Sequence, residues 1–283
     1  MSERSVAPAG DYVLGTRDDE IERLGLQHRL WRHRMLDCWR RARIRTGQRV
    51  ADIGAGPGYA TAELADAVGP GGAVYAFERS ERFLAAMRAR FARDRVAHVT
   101  LCQIDLDTEP LAVRGLDATW CRWVLSFVQQ PARVVEQIAA ALRPGGHAVF
   151  HEYVDYGAWR LHPPLASHDT FVAAVVASWR ASGGEPDIGM RLPGLLAAAG
   201  LEIEVAEPVS YLLTPADPLW EWPAAYVQSG RRRLVELGYL TPEQSLRIDA
   251  EFAAAATAPE TRMLTPMLVE IIAVKPDGTK SAR

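Results

Sequence analysis

Three acids and three glycines carry the first chemical signal in this chain. The run Val50-Ala51-Asp52-Ile53-Gly54-Ala55-Gly56-Pro57-Gly58 is apolar up to an acid, then places glycine at every second position. The alanine-rich segment Ala60 to Val68 that follows suits a helix, so the pattern is a buried strand, a tight turn free of side chains, and a helix. Such a turn lets a ligand approach the backbone at the N-terminus of the next helix. Glu78 closes a second apolar run, Ala73 to Glu78, and Asp105 follows a third, Ala97 to Ile104. In an open parallel sheet, ligands bind outside the carboxyl ends of the strands, so Asp52, Glu78 and Asp105 converge on the glycine turn. Glu78, 22 residues after Gly56, can accept both hydroxyls of a ribose. Asp105 can accept the exocyclic amine of an adenine, and Asp52 can attract the ammonium of an amino-acid moiety on the turn.

Strands and helices must alternate to bring these groups together. Asp19 to Arg45 reads as a helix, with Leu24, Trp31, Met35 and Trp39 on one face and seven arginines, Arg29 to Arg45, on the other. Ser80 caps a helix running to about Arg93. Leu116 to Arg122 is a fourth strand, and Pro131 begins a helix through Leu142. Arg143-Pro144-Gly145-Gly146 stops that helix before the strand His147 to Tyr153. The rhythm breaks over Val154 to Asp187, resumes with the helix Arg191 to Ala199 and the strand Leu201 to Pro208, and breaks again over Thr214 to Pro259, which is helical in pattern. A last apolar strand spans Leu264 to Val274. The pattern is α/β, a parallel sheet with crossover helices.

Composition narrows the function classes. The 283 residues are 48% hydrophobic and 24% charged with a net charge of −3, which gives no reason to expect a polyanion binder. The arginine-rich helix face therefore reads as a solvated face rather than a nucleic-acid surface. Cys38, Cys102 and Cys121 have no metal-ligand spacing, so no metal is expected, and a reduced cytoplasmic setting is. The first ten residues lack the pattern of a secretory signal, and no run of 18 apolar residues exists to span a membrane.

Taken together, VADIGAGPG (Val50 to Gly58), AVYAFE (Ala73 to Glu78), IDLD (Ile104 to Asp107) and LRPGG (Leu142 to Gly146) resemble the motif series of class I S-adenosylmethionine-dependent methyltransferases. Within that superfamily the chain is similar to the bacterial small-molecule branch of quinone-biosynthesis (UbiE-like) methyltransferases. The resemblance implies a doubly wound, Rossmann-like sheet of seven strands in the order 3-2-1-4-5-7-6, with strand seven antiparallel. It implies a lid over residues 1–45, a cofactor core over 46–153, and cap insertions over 154–187 and 214–260. The strand-six unit would occupy 188–213, and the last strand and tail 261–283. S-adenosylmethionine is the implied cofactor. Its implied contacts are Tyr12 from the lid, Asp52, Gly54, Ala55, Gly56, Glu78, Arg79, Asp105, Leu106 and Arg122. In that sheet order Cys102 and Cys121 stand about 14 Å apart at about 4.8 Å per strand, too far for a disulfide.

Methyl transfer asks little beyond an in-line nucleophile and the exclusion of water. Related enzymes often place a histidine after strand four, where this chain has Ser126 and Phe127. The candidate bases are then His28, His151, Glu152 and His162. The aromatic interruptions suggest an apolar or aromatic small molecule, met by Trp31, Phe127, Tyr153 and Tyr156. Trp159, Phe171, Tyr211, Trp220, Trp222 and Tyr226 enrich the same segments. A nucleic-acid substrate is disfavoured, since Arg122-Trp123-Val124-Leu125 stands where base-amine methyltransferases carry an Asp/Asn-Pro-Pro-Tyr motif. A dinucleotide dehydrogenase would need a third glycine at Tyr59. A homologue that holds the cofactor without transferring methyl, as a cyclase or regulator, is the other alternative. A lid helix with a tryptophan stripe could also serve a homodimer.

Overall fold

The computed structural model describes residues 18–277. The expected lid residue Tyr12 lies outside them. In chain order the elements are α1 (Asp18–Arg41), β1 (Arg49–Ile53), α2 (Tyr59–Val68), β2 (Ala73–Glu78), α3 (Glu81–Arg93), β3 (Val99–Gln103), β4 (Leu116–Arg122), α4 (Pro131–Ala141), β5 (Leu142–Asp155), β6 (Arg160–His162), α5 (Ala166–Ala181) and α6 (Leu192–Ala198). Then come β7 (Glu202–Val209), β8 (Leu212–Leu213), α7 (Glu221–Glu236), α8 (Pro242–Ala255), β9 (Arg262–Leu264) and β10 (Met267–Val274).

Seven strands form one sheet in the order β3-β2-β1-β4-β5-β10-β7, with β10 antiparallel to both neighbours. This is the expected order. β1 sits between two parallel neighbours with helices on both faces, which is why all but its first residue are buried and apolar or paired. Register sets the site. Ile53 aligns with Phe77 and with Cys121, so Gly54, Glu78 and Arg122 leave the sheet at one level. Glu78 pairs with Gln103, which puts Asp105 two residues past the end of β3. Local signals act where expected: Ser80 Oγ accepts the Phe83 N–H at 3.3 Å, and Pro131 starts α4.

Several expectations change. The last strand is two strands, because Thr265-Pro266 breaks it and Pro266 cannot donate to a ladder. Its first part, β9, joins β6 and β8 in a small three-stranded sheet that no periodicity announced, since these strands are only two or three residues long. α1 ends at Arg41, and Arg43 takes a left-handed φ of 59°. The three cysteines are free thiols, with Cys38 and Cys121 buried.

The basic face of α1 is also less solvated than expected. Arg34 reaches both carboxylate oxygens of Glu270 on β10, and Arg41 reaches both oxygens of Glu207 on β7. Glu270 is 2% exposed and also meets His151 Nε2 at 3.0 Å, with Cys38 Sγ 3.3 Å from the same ring nitrogen. Single ligand atoms of Cys38, His151 and Glu270 lie within 4.8 Å of one another, a spacing that could suit a cation. Arg34 already balances the carboxylate, so the trio reads as a clasp holding α1 on the sheet. Burial alone would push the Glu270 carboxyl up, but its bonds to His151 and Arg34 outweigh burial and hold it at about 2. Burial also lowers the His151 ring, leaving it neutral at pH 7 and Arg34 the source of the full charge.

A folded pKa of about 2 against an ordinary 4.5 stabilises the fold above pH 4.5. The contribution is about 3 kcal/mol, lost as pH falls towards 2. Glu270→Gln should cost about 3–5 kcal/mol at pH 7 in guanidinium melts, because Arg34 loses its partner. The variant should also lose less stability than the parent between pH 5 and pH 2.5. Equal acid sensitivity in the two proteins would rule the clasp out.

Candidate functional site

A cavity of about 160 Å³ opens at the carboxyl ends of β1, β2 and β4, with the loop after β3 and the inner face of α1 completing its walls. Its floor is the glycine turn. Gly54, Gly56 and Gly58 have φ values of 67°, 57° and 77°, a left-handed conformation that costs other residues about 1–2 kcal/mol each. They differ in what surrounds them. A Cβ on Gly54 would stand 2.4 Å from Val124 Cγ2, and one on Gly58 would stand 2.3 Å from Met87 Cγ. A Cβ on Gly56 would meet nothing within 4 Å, because that position faces the cavity.

Glu78 fixes the turn. Its Oε2 accepts the Gly56 N–H and its Oε1 the Ser80 N–H, both at 2.8 Å. Burial pushes its carboxyl up against the pull of those N–H groups, and lone pairs remain on both oxygens for hydroxyl donors in the cavity. Asp105 lines the opposite wall with Leu106, and its Oδ1 accepts the Asp107 N–H at 3.0 Å.

The other end of the cavity holds opposite charges. Asp52, 2% exposed, accepts the Thr61 hydroxyl at 2.6 Å. Burial raises its carboxyl to about 6 even with Thr61 and Arg122 pulling it down. Burial lowers the Arg122 guanidinium to about 10, partly offset by Asp52. That guanidinium lies 5.6 Å from the Trp120 ring centre and 5.1 Å from that of Trp123. His28 on α1 closes this end: its Nδ1 is 3.4 Å from Arg122 Nη2 and its Nε2 is 3.6 Å from Glu63. Burial first and Arg122 second lower it to about 4, so it is a neutral imidazole at pH 7.

Residues 51–150 match the model of the methyltransferase domain family. A protein of transposon Tn4556 from Streptomyces fradiae, of no stated activity, is 28% identical over 204 residues, which are 72% of this chain and 57% of that protein. A ubiquinone/menaquinone biosynthesis C-methyltransferase UbiE from Methylococcus capsulatus is 29% identical over 146 residues, 50% of this chain and 57% of its own length. The chain thus spans little more than half the length of the curated relatives it matches. Residues 51–150 thus carry a methyltransferase domain. Solved structures share the fold of this chain. The [4+2]-cyclase SpnF gives a TM-score of 0.56 at 20% identity, covering 87% of this chain and 81% of that one. Haemonchus contortus phosphoethanolamine N-methyltransferase 2 with S-adenosyl-L-methionine gives 0.53 at 18% identity, covering 91% and 53%. The cavity offers what S-adenosylmethionine would need: an open backbone floor at Gly56, acids for hydroxyls and amines, and the buried Asp52 and Arg122 for an aminocarboxylate.

Of the expected cofactor residues, Asp52, Gly54, Ala55, Gly56, Glu78, Arg79, Asp105, Leu106 and Arg122 all line this one cavity. Of the candidate bases, only His28 does. His151 is fully buried in the Glu270 clasp, away from the cavity. Glu152 is fully buried too: one oxygen accepts the Val124 and Leu125 N–H groups at 2.8 Å each, and the other accepts the Ser126 hydroxyl at 3.0 Å. Burial raises that carboxyl to about 7 against those donors. Glu152 therefore shapes the loop after β4 rather than meeting a ligand. The loop opens with Trp123 at a left-handed φ of 53°, anchored by its N–H to the His151 carbonyl at 2.9 Å. His162 is exposed on β6.

A second, smaller chamber of about 30 Å³ adjoins the first and shares Gln27, Trp123 and Phe127 with it. Tyr153 and Tyr156, two of the residues expected to meet a substrate, line it with Trp179 on α5 and Trp222 and Tyr226 on α7. Trp31 lines neither space: it is 1% exposed and packs edge-on against Trp123, Trp222 and Tyr211. Its place in the helical stripe signalled burial but not what it would be buried against. Gln27 and Trp123 escaped the sequence reading, and the departure from the usual motif after β4 was the one available pointer to Trp123.

Gly56→Ala should fold with a loss of about 1–2 kcal/mol and weaken S-adenosylhomocysteine by about ten-fold or more in titration calorimetry, since the new methyl enters the cavity. Gly54→Ala should lose more stability, because Val124 blocks its Cβ. A Gly56→Ala protein that binds like the parent would mean that the ligand does not lie on this turn.

Proposed function

We propose that the chain transfers the methyl of S-adenosylmethionine by in-line displacement to a small apolar or aromatic molecule held in the second chamber. The observation that carries this reading is the shared wall: Gln27, Trp123 and Phe127 border both the cofactor cavity and an aromatic chamber. A donor and an acceptor would then lie in adjoining spaces, with their reacting ends at these three residues.

Each residue has a role in this reading. Glu78 accepts the ribose hydroxyls while its bond to Gly56 keeps the turn open. Asp105 accepts the adenine amine. Asp52 attracts the methionyl ammonium, and Arg122 holds the methionyl carboxylate between the faces of Trp120 and Trp123. Bound there, the cofactor supplies a methyl already activated on a sulfonium. The protein then has to orient the acceptor and exclude water, which is worth on the order of 7–11 kcal/mol. His28, neutral and facing the cavity, can take a proton where the acceptor must lose one. The similarity of about half the chain to a ubiquinone/menaquinone biosynthesis C-methyltransferase supports a quinone-like acceptor.

Glu78→Gln should weaken S-adenosylhomocysteine by about ten- to a hundred-fold in calorimetry, the loss of hydrogen bonds to a charged acceptor. Incubation with methyl-labelled cofactor and a panel of phenols, quinols and amines should give a labelled product from at least one arene. Cofactor binding with no transfer to any panel member would favour a homologue that holds the cofactor for another purpose.

A further inference from the structure

Gln27 lines both spaces, and a buried chain of hydrogen bonds fixes which way its amide points. Glu20, Arg23 and Gln27 follow one another at i, i+3 and i+7 on one face of α1, and all three are buried. The two Glu20 oxygens accept the Nε–H and Nη2–H of Arg23 at 2.7 Å each, and Arg23 Nη1 donates to Gln27 Oε1 at 3.1 Å. The Trp222 indole N–H on α7 donates to the same oxygen, also at 3.1 Å. A guanidinium and an indole can only donate, so the atom they share has to be the amide oxygen. The amide nitrogen is left on the other side. It makes no hydrogen bond among the described residues, yet it is not among the sealed polar atoms without a partner, so it opens on the spaces that Gln27 lines.

At the wall shared by the two spaces that nitrogen has no rival among the described side chains. Phe127 brings a hydrocarbon ring there, and the Trp123 indole nitrogen is sealed in the interior. A carboxamide nitrogen carries two hydrogens and donates only. In-line attack on a methyl consumes one electron pair of the nucleophile. A neutral amine has a single lone pair, so a donor aimed at it opposes the attack, and an ammonium has none. A hydroxyl oxygen has two. It can accept from Gln27 with one while the other, or the carbon conjugated to it, meets the methyl.

We infer that Gln27 is the donor that holds the methyl acceptor at the meeting of the two spaces, and that the acceptor presents a hydroxyarene or enol oxygen there rather than an amine. This inference rests on the methyl-transfer reading above. The new bond forms to that oxygen or to its conjugated carbon, and the sulfur–methyl bond breaks with its pair left on sulfur. The proton that the acceptor loses goes to the neutral His28 imidazole, which lines the same cavity one helical position from Gln27.

Gln27→Glu tests the assignment, because one carboxylate oxygen still accepts from Arg23 and Trp222 while the other puts an acceptor where the donor stood. Parent and variant are given methyl-labelled cofactor and matched pairs that differ only in the reacting group: 1-naphthol with 1-naphthylamine, and catechol with 1,2-phenylenediamine. The variant should bind S-adenosylhomocysteine within about three-fold of the parent, and its hydroxyl-to-amine rate ratio should fall by about ten-fold or more. An unchanged ratio overturns the inference, and so does a ten-fold loss of S-adenosylhomocysteine with the ratio unmoved, which would assign the amide to the cofactor. A second measurement needs neither turnover nor the variant. In the parent with ¹⁵N-labelled glutamine and saturating S-adenosylhomocysteine, the hydroxyl probes should shift the Gln27 side-chain amide resonances and the amines should not. Resonances that no hydroxyl probe moves overturn the inference. Resonances that move with the hydroxyl probes while no probe is methylated strike the methyl-transfer reading and leave Gln27 as the donor.

Discussion

The Glu78 carboxylate spans two backbone N–H groups that belong to different crossings of the sheet, Gly56 after β1 and Ser80 after β2. Much of the site's order follows from that bridge. Three left-handed glycines in five residues are entropically expensive to order, and the turn needs an outside constraint to hold one shape. Glu78 supplies it because register brings β1 and β2 out of the sheet at one level. The same carboxylate anchors the approach to α3, whose Ser80 cap is the next residue but one. Turn, cavity wall and helix start are thus one hydrogen-bonded unit. A change in any of them should be felt in the other two.

The loop after β4 repeats this device with a different acid. Glu152 on β5 gathers two N–H groups and the Ser126 hydroxyl. The residue just before them, Trp123, holds a left-handed φ, which is costly for a side chain of its size. The cost is tolerated because neighbouring bonds determine the loop's path. The outcome is a tryptophan standing between the two spaces, stacked near Trp222 and Tyr153 with ring centres 5.9 Å away in each case. A histidine after β4 would meet the donor directly. Here the loop builds a wall instead, and the candidate base that lines the cavity is His28 on α1.

The cofactor half of the molecule was legible because its signals are local and their geometry is generic. A glycine at every second position and acids at strand ends keep their meaning wherever a parallel sheet stands, and strand order follows from the alternation and the resemblance. The cap was less legible for a physical reason. β6, β8 and β9 are too short for periodicity, and aromatic residues look the same in sequence whether they seal a core or line a chamber: Trp31 does the first, Tyr153 and Tyr156 the second. Charged residues misled in a related way. Arg34 reads as one of seven arginines on a solvated face, and only the fold brings it to Glu270, 236 residues away. His151 and Glu152 look equally catalytic by type. Strand alternation sends their side chains to opposite faces of β5, one into the α1 clasp and the other under the β4 loop.

The two spaces also differ in their electrostatics, and the difference suits their separate tasks. At the end of the first cavity closed by His28, Asp52 and Arg122 act on each other, each displaced by burial from its ordinary pKa, to about 6 and about 10. Both displacements disfavour charge, so an aminocarboxylate of matching polarity gains by restoring it, and binding should draw Asp52 further into its ionised form. The second chamber has no such pair to satisfy. Its one cation is already matched by Glu20, and burial pushes the hydroxyls of Tyr153, Tyr156 and Tyr226 far above neutrality, so they stay protonated. A zwitterion therefore gains most in the first space and a neutral molecule in the second.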